Sequence, residues 1–400
     1  MIRVAINGFG RIGRNAFKVA LEYHSDLVEI VAINDLSKPD VLAHLLKYDT
    51  AYGQWGKEIS SDETNLIVDG KKFPLVSEKD PASLPWKQYN VDVVIECTGR
   101  FTDSEGMKQH LTAGAKKVVL SAPSKGSGVD TFLIGVNHGE YKGQDMVNNA
   151  SCTTNCIAPV AAIIDEKFGI GKALMTTIHS VTAEQNLVDG APPGGKSGDL
   201  RRARSGLSNI IPTTTGAAVA VAQVMPQLQG LFDGRAIRVP TLVGSISDFT
   251  FLLKKKTTVE EVNAVFKEAA ESLRWKGVVA VTDVPLVSSD IVGRSESCIV
   301  DLELTQLVDG DFLKVFAWYD NEWGYSNRLI EQVINVGANS GPGSVEKAPE
   351  THIVDNNSAV NSPMPHAAES VPTEPHQLAE YDVNLKDPST NANPEKVVIS

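Results

Sequence analysis

Arg3-Val4-Ala5-Ile6-Asn7-Gly8-Phe9-Gly10-Arg11-Ile12-Gly13 carries the chain from an apolar run through a glycine turn into helix-forming sequence. Gly8, Gly10 and Gly13 make the pattern G-x-G-x-x-G after a strand and at the opening of a helix. Glycines there allow a tight turn and let the backbone approach a pyrophosphate, which rests on the free N–H groups and positive dipole end of the helix. Such turns are also common for structural reasons, so the surroundings decide. The next apolar run ends Val31-Ala32-Ile33-Asn34-Asp35. A carboxylate at that strand end accepts hydrogen bonds from an adenosine ribose and repels a 2′-phosphate. The opening therefore predicts a dinucleotide site, with Asp35 favouring NAD over NADP.

Outward from that turn, short apolar runs alternate with helical patterns. They fall at Arg3–Asn7, Val28–Asn34, Val91–Cys97, Lys117–Leu120, Thr131–Gly135 and Asp145–Asn149. Runs of this kind between helices predict a Rossmann-type, doubly wound parallel sheet over residues 1–151. From Cys152 the texture changes. A helix from Thr153 to Lys167 leads into longer alternating strands at Ala173–Ser180, Ala236–Pro240, Gly244–Leu253, Ser297–Leu304 and Phe312–Tyr319. One helix, Thr258 to Leu273, is interposed, with a threonine N-cap and two glutamates in its first turn. This pattern predicts an α+β domain over 152–319, its mostly antiparallel sheet covered on one face. An amphipathic helix, Ser326 to Asn335, closes the fold.

Composition bounds the function. The chain is 42% hydrophobic and 22% charged, as expected of a globular protein with a core. A formal net charge of -12 speaks against nucleic-acid or anionic-membrane partners, which call for a basic face. No apolar run approaches the ~20 residues that span a bilayer, and no targeting peptide is expected before the first strand. Four cysteines make no disulfide framework, so a reduced, cytoplasmic protein is expected. The charge is uneven: residues 341–400 hold nine Asp/Glu, three Lys/Arg and eight of the 20 prolines. With no apolar period such a segment cannot offset its ordering entropy, and 338–400 is expected to be a disordered acidic tail. Only Lys396-Val397-Val398-Ile399 reads as a strand that could dock.

Ser151-Cys152-Thr153-Thr154-Asn155-Cys156 lies where a strand gives way to a helix. A thiol there meets unpaired N–H groups and the positive end of the dipole, which act to lower its pKa. Cys97 and Cys298 lie inside apolar strands and Cys156 one helical turn further on, so they read as buried packing residues. One C-x-x-x-C supplies too few ligands for zinc, and no metal is expected. Among the histidines, His179 ends an apolar strand and is the obvious base for Cys152; a Cys–His pair activates sulfur for attack on a carbonyl. Downstream, Thr182, Arg201-Arg202-Ala203-Arg204, Thr213-Thr214-Thr215-Gly216, Arg235 and Arg238 supply hydroxyl and guanidinium groups suited to phosphate. A cofactor fold, a nucleophilic thiol and anion subsites point to oxidation of a phosphorylated aldehyde.

These stretches resemble the phosphorylating glyceraldehyde-3-phosphate dehydrogenases. The resemblance rests on Asn7–Arg14, Ala150-Ser-Cys-Thr-Thr-Asn-Cys156, His179-Ser-Val-Thr182, Ile211–Ala217, Arg238-Val-Pro-Thr241 and Trp318-Tyr-Asp-Asn-Glu-Trp-Gly-Tyr-Ser326, and covers residues 1 to about 337. It implies Cys152 as nucleophile and His179 as general base. It also implies NAD contacts at Arg11, Ile12, Asp35, Lys79, Ser121 and Asn321. Glyceraldehyde 3-phosphate and inorganic phosphate would be bound by Ser151, Thr153, Thr182, Arg204, Thr215, Gly216 and Arg238. The family's terminal helix, here 320–337, returns to complete the cofactor domain, and its members are usually homotetramers.

Two stretches depart from the family. Residues 186–200 are longer than usual where the chain runs beside a neighbouring subunit's nicotinamide. Leu242-Val-Gly-Ser-Ile246 stands where Pro-Asn-Val-Ser-Val is common. The acidic tail lacks the cysteine pair of a redox switch, so none is expected there. The alternatives are an erythrose-4-phosphate dehydrogenase with the same thiol and imidazole, or a catalytically dead binding protein that uses the tail.

Overall fold

The computed structural model describes residues 1–192 and 199–339. The expected tail therefore lies outside the described residues from 340 on, as does the middle of the 186–200 segment.

The chain opens with β1 (Ile2–Asn7), α1 (Arg11–Tyr23), β2 (Val28–Asn34) and α2 (Pro39–Lys47), followed by a two-residue hairpin, β3 (Tyr48–Asp49) with β4 (Gly53–Gln54). An antiparallel meander comes next: β5 (Ile59–Ser61), β6 (Asn65–Val68) and β7 (Lys71–Val76). Then follow β8 (Val93–Glu96), α3 (Ser104–Thr112), β9 (Lys117–Leu120), β10 (Asp130–Thr131) and β11 (Met146–Asn148). The strands form a nine-stranded sheet in the order β10-β11-β9-β8-β1-β2-β7-β6-β5. Every pair from β10 to β7 is parallel, so the meander extends a doubly wound sheet at one edge. One face of this sheet packs Val4, Ile6, Val93 and Ile95 on α1 and the C-terminal helix. The other packs Ala5, Ala32, Val94 and Val118 on Trp86 and Met107. Helices on both faces explain why the middles of these strands read as continuous apolar runs rather than alternating.

The second sheet begins after α4 (Cys152–Phe168), which Gly169 ends at φ +69. Its strands are β12 (Ile170–Ser180), β13 (Ile211–Thr213), β14 (Phe232–Val239), β15 (Ser245–Leu253), β16 (Val279–Thr282), β17 (Cys298–Val308) and β18 (Phe312–Tyr319). They lie in the order β13-β14-β12-β15-β18-β17-β16, antiparallel except at β12–β14 and β16–β17. Helices α4, α5 (Ala217–Val224) and α6 (Val259–Glu271) cover one face around Phe249, Phe251, Val315 and Ala317. The N-cap of α6 is Thr258, whose hydroxyl accepts from Glu261 N–H at 3.2 Å. The last helix, α7 (Trp323–Ala338), crosses back to the nine-stranded sheet, where Leu329, Ile330, Val333 and Val336 join its core. Both sheets belong to one compact unit.

The structure corrects several expected elements. Thr131–Gly135 is not a strand beyond Thr131: Asn137 donates to Thr131 O at 2.9 Å and accepts from Leu133 N–H at 2.8 Å, taking the groups a ladder would use. The second half has two interposed helices, not one, because α5 is so rich in alanine and valine that its period is blurred. The closing helix starts three residues before Ser326, since the Asp320 carboxylate accepts from Trp323 N–H at 2.7 Å and caps it.

Candidate active site

The cofactor turn is shaped as the sequence predicts. Gly8 sits at φ +94, and a Cβ on Gly13 would fall 2.1 Å from Gly8 O, so only glycine lets α1 approach β1. Gly10 caps α1, and a Cβ there meets nothing within 4 Å: the backbone at the helix start faces open space. That space is a cavity of about 360 Å³ along the carboxyl ends of β1, β2 and β8, lined by Gly8, Gly10, Asp35 and Lys79 among others. Ligands of open parallel sheets bind at this edge. Asp35 accepts from Phe9 N–H and Ser37 N–H, both at 2.8 Å, which fixes its carboxylate at the rim. Ile12 is the second residue of α1. Ser121 follows β9, and its N–H donates to Glu96 O at 3.0 Å.

Under this cavity lies a row of polar residues that the sequence reading missed. Asn34, Asn7 and Glu96 end β2, β1 and β8 in matching register. Asn34 donates to Asn7 Oδ1 at 2.7 Å, and Asn7 donates to Glu96 Oε2 at 2.5 Å. Glu96 also accepts from Thr98 N–H at 2.7 Å and lies 3.0 Å from His110 Nε2. Trp86 Nε1 donates to His110 Nδ1 at 3.0 Å, so Nε2 carries the proton toward the carboxylate. Glu96 and His110 are both fully buried, and the carboxylate's donors make that burial tolerable. The signal was present: a polar residue closes an apolar run at the end of each of three strands.

The thiol stands where the chain leaves β11. Ala150 turns it at φ +51, a conformation a non-glycine residue seldom holds without support. Support comes from Asn148 Oδ1, which accepts Ala150 N–H at 3.0 Å, and from the Tyr325 hydroxyl, which donates to Ala150 O at 3.0 Å. Ser151 is the N-cap of α4, its oxygen accepting Thr154 N–H at 3.1 Å. Cys152 is thereby the first helical residue, in contact with the cores of both sheets. Its sulfur is 3.4 Å from His179 Nε2, at the end of β12. His179 Nδ1 is 2.7 Å from Ser180 O, and Tyr319 packs edge-on against the ring while bonding Thr153 and Thr177. Nδ1 faces both an acceptor, Ser180 O, and a donor, Arg238 Nη1 at 2.7 Å; in the tautomer that gives Nδ1–H to the carbonyl, Nε2 presents a lone pair to sulfur.

Burial holds the His179 imidazole neutral, pushing its pKa down to about 3, and the nearby Arg238 charge adds to the effect. For Cys152 the outcome differs from the sequence expectation. Burial raises the thiol, and this outweighs Arg238 and the Thr153 groups that lower it. Both shifts favour the neutral thiol and the neutral imidazole, a pair set for proton transfer when sulfur attacks. Cys97, at the cavity wall, is pushed up to about 12 by burial, away from the thiolate form.

Anion-handling groups gather on the same side. Arg238 Nη1 donates to Ser180 O at 3.0 Å and lies 2.7 Å from His179 Nδ1, while its Nε is buried with no partner among the described residues. Thr215 Oγ1 accepts Ala217 N–H at 3.1 Å, and Gly216 caps α5, leaving that helix start open. Thr182 is tied to Gln185 through its N–H and hydroxyl. Arg204 is placed differently from expectation. It is 61% exposed and pairs with Asp189 at 2.6 Å. Arg202 is only 16% exposed, donates to Thr214 O at 3.2 Å, and its charge is felt at Arg238. Three arginines in one short run look alike in sequence; the fold separates them. Among the described residues no group of side chains could hold a metal ion.

A cavity at the carboxyl edge of a doubly wound sheet, with a carboxylate fixed at its rim and a second domain bringing a thiol and an imidazole, defines an NAD-dependent oxidoreductase. Comparison with known proteins narrows the class. Residues 2–104 match the NAD binding domain of glyceraldehyde 3-phosphate dehydrogenase, and residues 151–321 match its C-terminal domain. Glyceraldehyde-3-phosphate dehydrogenase of Streptomyces coelicolor is 49% identical over 338 residues, covering 84% of this chain and 98% of that protein. Glyceraldehyde-3-phosphate dehydrogenase 2 of Synechocystis is 50% identical over 333 residues, 83% of this chain and 97% of that one. The chloroplastic glyceraldehyde-3-phosphate dehydrogenase A of Chlamydomonas reinhardtii is 48% identical over 332 residues, 82% of this chain and 87% of its own. The chain belongs to the glyceraldehyde-3-phosphate dehydrogenase family.

Proposed function

We propose that the chain oxidises D-glyceraldehyde 3-phosphate, with NAD as oxidant and inorganic phosphate as acyl acceptor, to 1,3-bisphosphoglycerate. The observation that carries the mechanism is the 3.4 Å approach of Cys152 sulfur to His179 Nε2. Sulfur attacks the aldehyde carbon while Nε2 takes the thiol proton and passes it to the aldehyde oxygen, giving a thiohemiacetal hydroxyl held by the Cys152 N–H and the neutral Nε2. His179 then removes the hydroxyl proton as hydride leaves the same carbon, and a thioester remains on Cys152. NAD supplies the hydride acceptor when bound. Phosphate attacks the thioester, forming the C–O bond of the acyl phosphate as the C–S bond breaks and the thiol is restored.

Residues 1–151 with the returning segment 320–337 serve as the cofactor domain, and 152–319 as the catalytic domain. Gly8, Gly10 and Gly13 shape the pyrophosphate turn, where Arg11 and Ile12 offer backbone N–H groups. Asp35 takes the ribose, Lys79 lies near the adenine, and Ser121 and Asn321 serve the nicotinamide side. The substrate's phosphate and the attacking phosphate are shared between Ser151, Thr153, Thr182, Thr215, Gly216 and Arg238. The buried, partnerless Nε of Arg238 supports an oxyanion there. The placement of Arg202 favours it over Arg204 as the second arginine. A homotetramer is supported by the face of the seven-stranded sheet that no helix among the described residues covers, where Leu174, Leu252, Val308 and Phe312 are exposed. A thiol nucleophile also suits a reducing, cytoplasmic setting.

The test is a steady-state assay crossing NAD and NADP with phosphate and arsenate, on the intact chain and on its Cys152→Ser variant. NAD reduction dependent on either anion and abolished in Cys152→Ser is expected. Undiminished turnover in that variant would overturn the nucleophile, and faster turnover with NADP would overturn the role of Asp35.

A further inference from the structure

Arg11 stands at the first position of α1, but its guanidinium is turned away from the pyrophosphate turn. Nε donates to Glu322 Oε1 and Oε2 at 3.0 and 2.9 Å, Nη2 also reaches Glu322, and Nη1 donates to Asp49 Oδ2 at 2.6 Å. The Asp49 and Glu322 side chains are 3% and 14% exposed, so these are protected pairs rather than solvated ones. The two pairings raise the guanidinium pKa even though burial opposes them. Two carboxylates more than cancel its charge, leaving little attraction for a phosphate.

Both carboxylates sit on segments with further attachments. Asp49 accepts Ala51 N–H and Tyr52 N–H, and the Tyr52 hydroxyl donates to Asp320 at 2.9 Å. Asp320, almost fully buried, accepts Gly293 N–H at 2.8 Å and the N–H groups of Glu322 and Trp323. Between them, Asn321 Oδ1 accepts Gly244 N–H and the Ser245 hydroxyl at 3.2 and 3.0 Å. The Ser245 oxygen in turn accepts Ser180 N–H at 3.1 Å, and the Ser180 carbonyl is the partner of His179. An unbroken line of bonds joins the pyrophosphate turn to the catalytic imidazole through Asn321.

We propose that Arg11 is a positioning residue whose side chain clamps the pyrophosphate turn to segment 320–322, so that the two ends of the dinucleotide are gripped at a fixed spacing. This rests on the assignment of Asn321 to the nicotinamide end. Two subsites held rigidly apart bind a joined ligand far better than either half, and that joint advantage is lost when the spacing is free to vary.

The test is calorimetric titration of the full chain with NAD and with ADP-ribose, which lacks the nicotinamide. Arg11→Met is expected to weaken NAD about tenfold and ADP-ribose by no more than about twofold. Arg11→Lys recovers part of the loss, and Arg11→Met combined with Glu322→Gln is no worse than Arg11→Met. Equal weakening of both ligands would place the guanidinium on the pyrophosphate and overturn the clamp, as would additive effects of the two substitutions. Asn321→Ala separates the two assignments. If it leaves the preference for NAD over ADP-ribose intact, the nicotinamide assignment fails and takes the clamp's purpose with it. If it abolishes that preference while Arg11→Met does not, only the clamp fails. Should Arg11→Met not fold, Glu322→Gln, which keeps shape and one hydrogen bond, decides by the same ratio.

Discussion

The sulfur of Cys152 receives donors from the start of α4, yet the half-buried side chain sits deep enough between the two cores that desolvation prevails and raises its pKa. Iodoacetamide alkylation of the cofactor-free protein should therefore climb with pH through the ordinary thiol range instead of levelling near neutrality. Arg238 is the cation that most opposes the rise. In Arg238→Met, alkylation at pH 8 should slow about threefold, with the profile moved to higher pH, and the KM for phosphate should increase. Faster alkylation in the variant would contradict this electrostatic account. The pairing of Cys152 with His179 was legible in the sequence because each sits at the end of an element whose type its neighbours declare. The direction of the thiol's pKa was not, since dipole and desolvation act oppositely and only the packing says which is larger. The choice between Arg202 and Arg204 was equally closed to sequence, because it depends on which side of a turn each faces.

Among the elements, the β1–α1 turn offers a sharp contrast between two glycines of one motif. A methyl on Gly13 collides with Gly8 O, so Gly13→Ala should cost about 2–4 kcal/mol by urea unfolding. A methyl on Gly10 meets no atom, and Gly10 has φ -73, so Gly10→Ala should hold stability within about 1 kcal/mol while lowering NAD affinity. A loss of stability in Gly10→Ala comparable to that in Gly13→Ala would show that the opening before α1 is not free. The strands buried on both faces were readable as apolar runs. The meander β5–β7 was passed over, because its strands are short and half exposed. Thr131–Gly135 misled, because its composition suits a strand while the Asn137 side chain, six residues beyond Thr131, captures its backbone.

For the whole molecule, acid should be the weak side. His24 is buried and held neutral, its pKa lowered to about 4 by desolvation and then by Arg328. The folded state thus binds this proton less readily than the unfolded chain. Its contribution is complete above the ordinary histidine value of ~6.5 and is lost as pH falls toward 4. His24→Gln should flatten the fall in urea midpoint across that window; an unchanged slope would assign the fall to other groups, His179 among them. The uncovered sheet face gives a second prediction: Leu174→Lys, 65% exposed in the single chain, should lower the sedimenting mass without altering far-ultraviolet circular dichroism. The two-sheet division was legible from the change in texture at Cys152. The return of α7 was not legible from pattern alone, because an amphipathic helix declares that it has a partner without naming it. That return has a consequence for biosynthesis. The N-terminal core needs Tyr325, Leu329, Ile330, Val333 and Val336 to close. A nascent chain leaves that core open until those residues leave the ribosome, so its first half exposes apolar surface through most of translation.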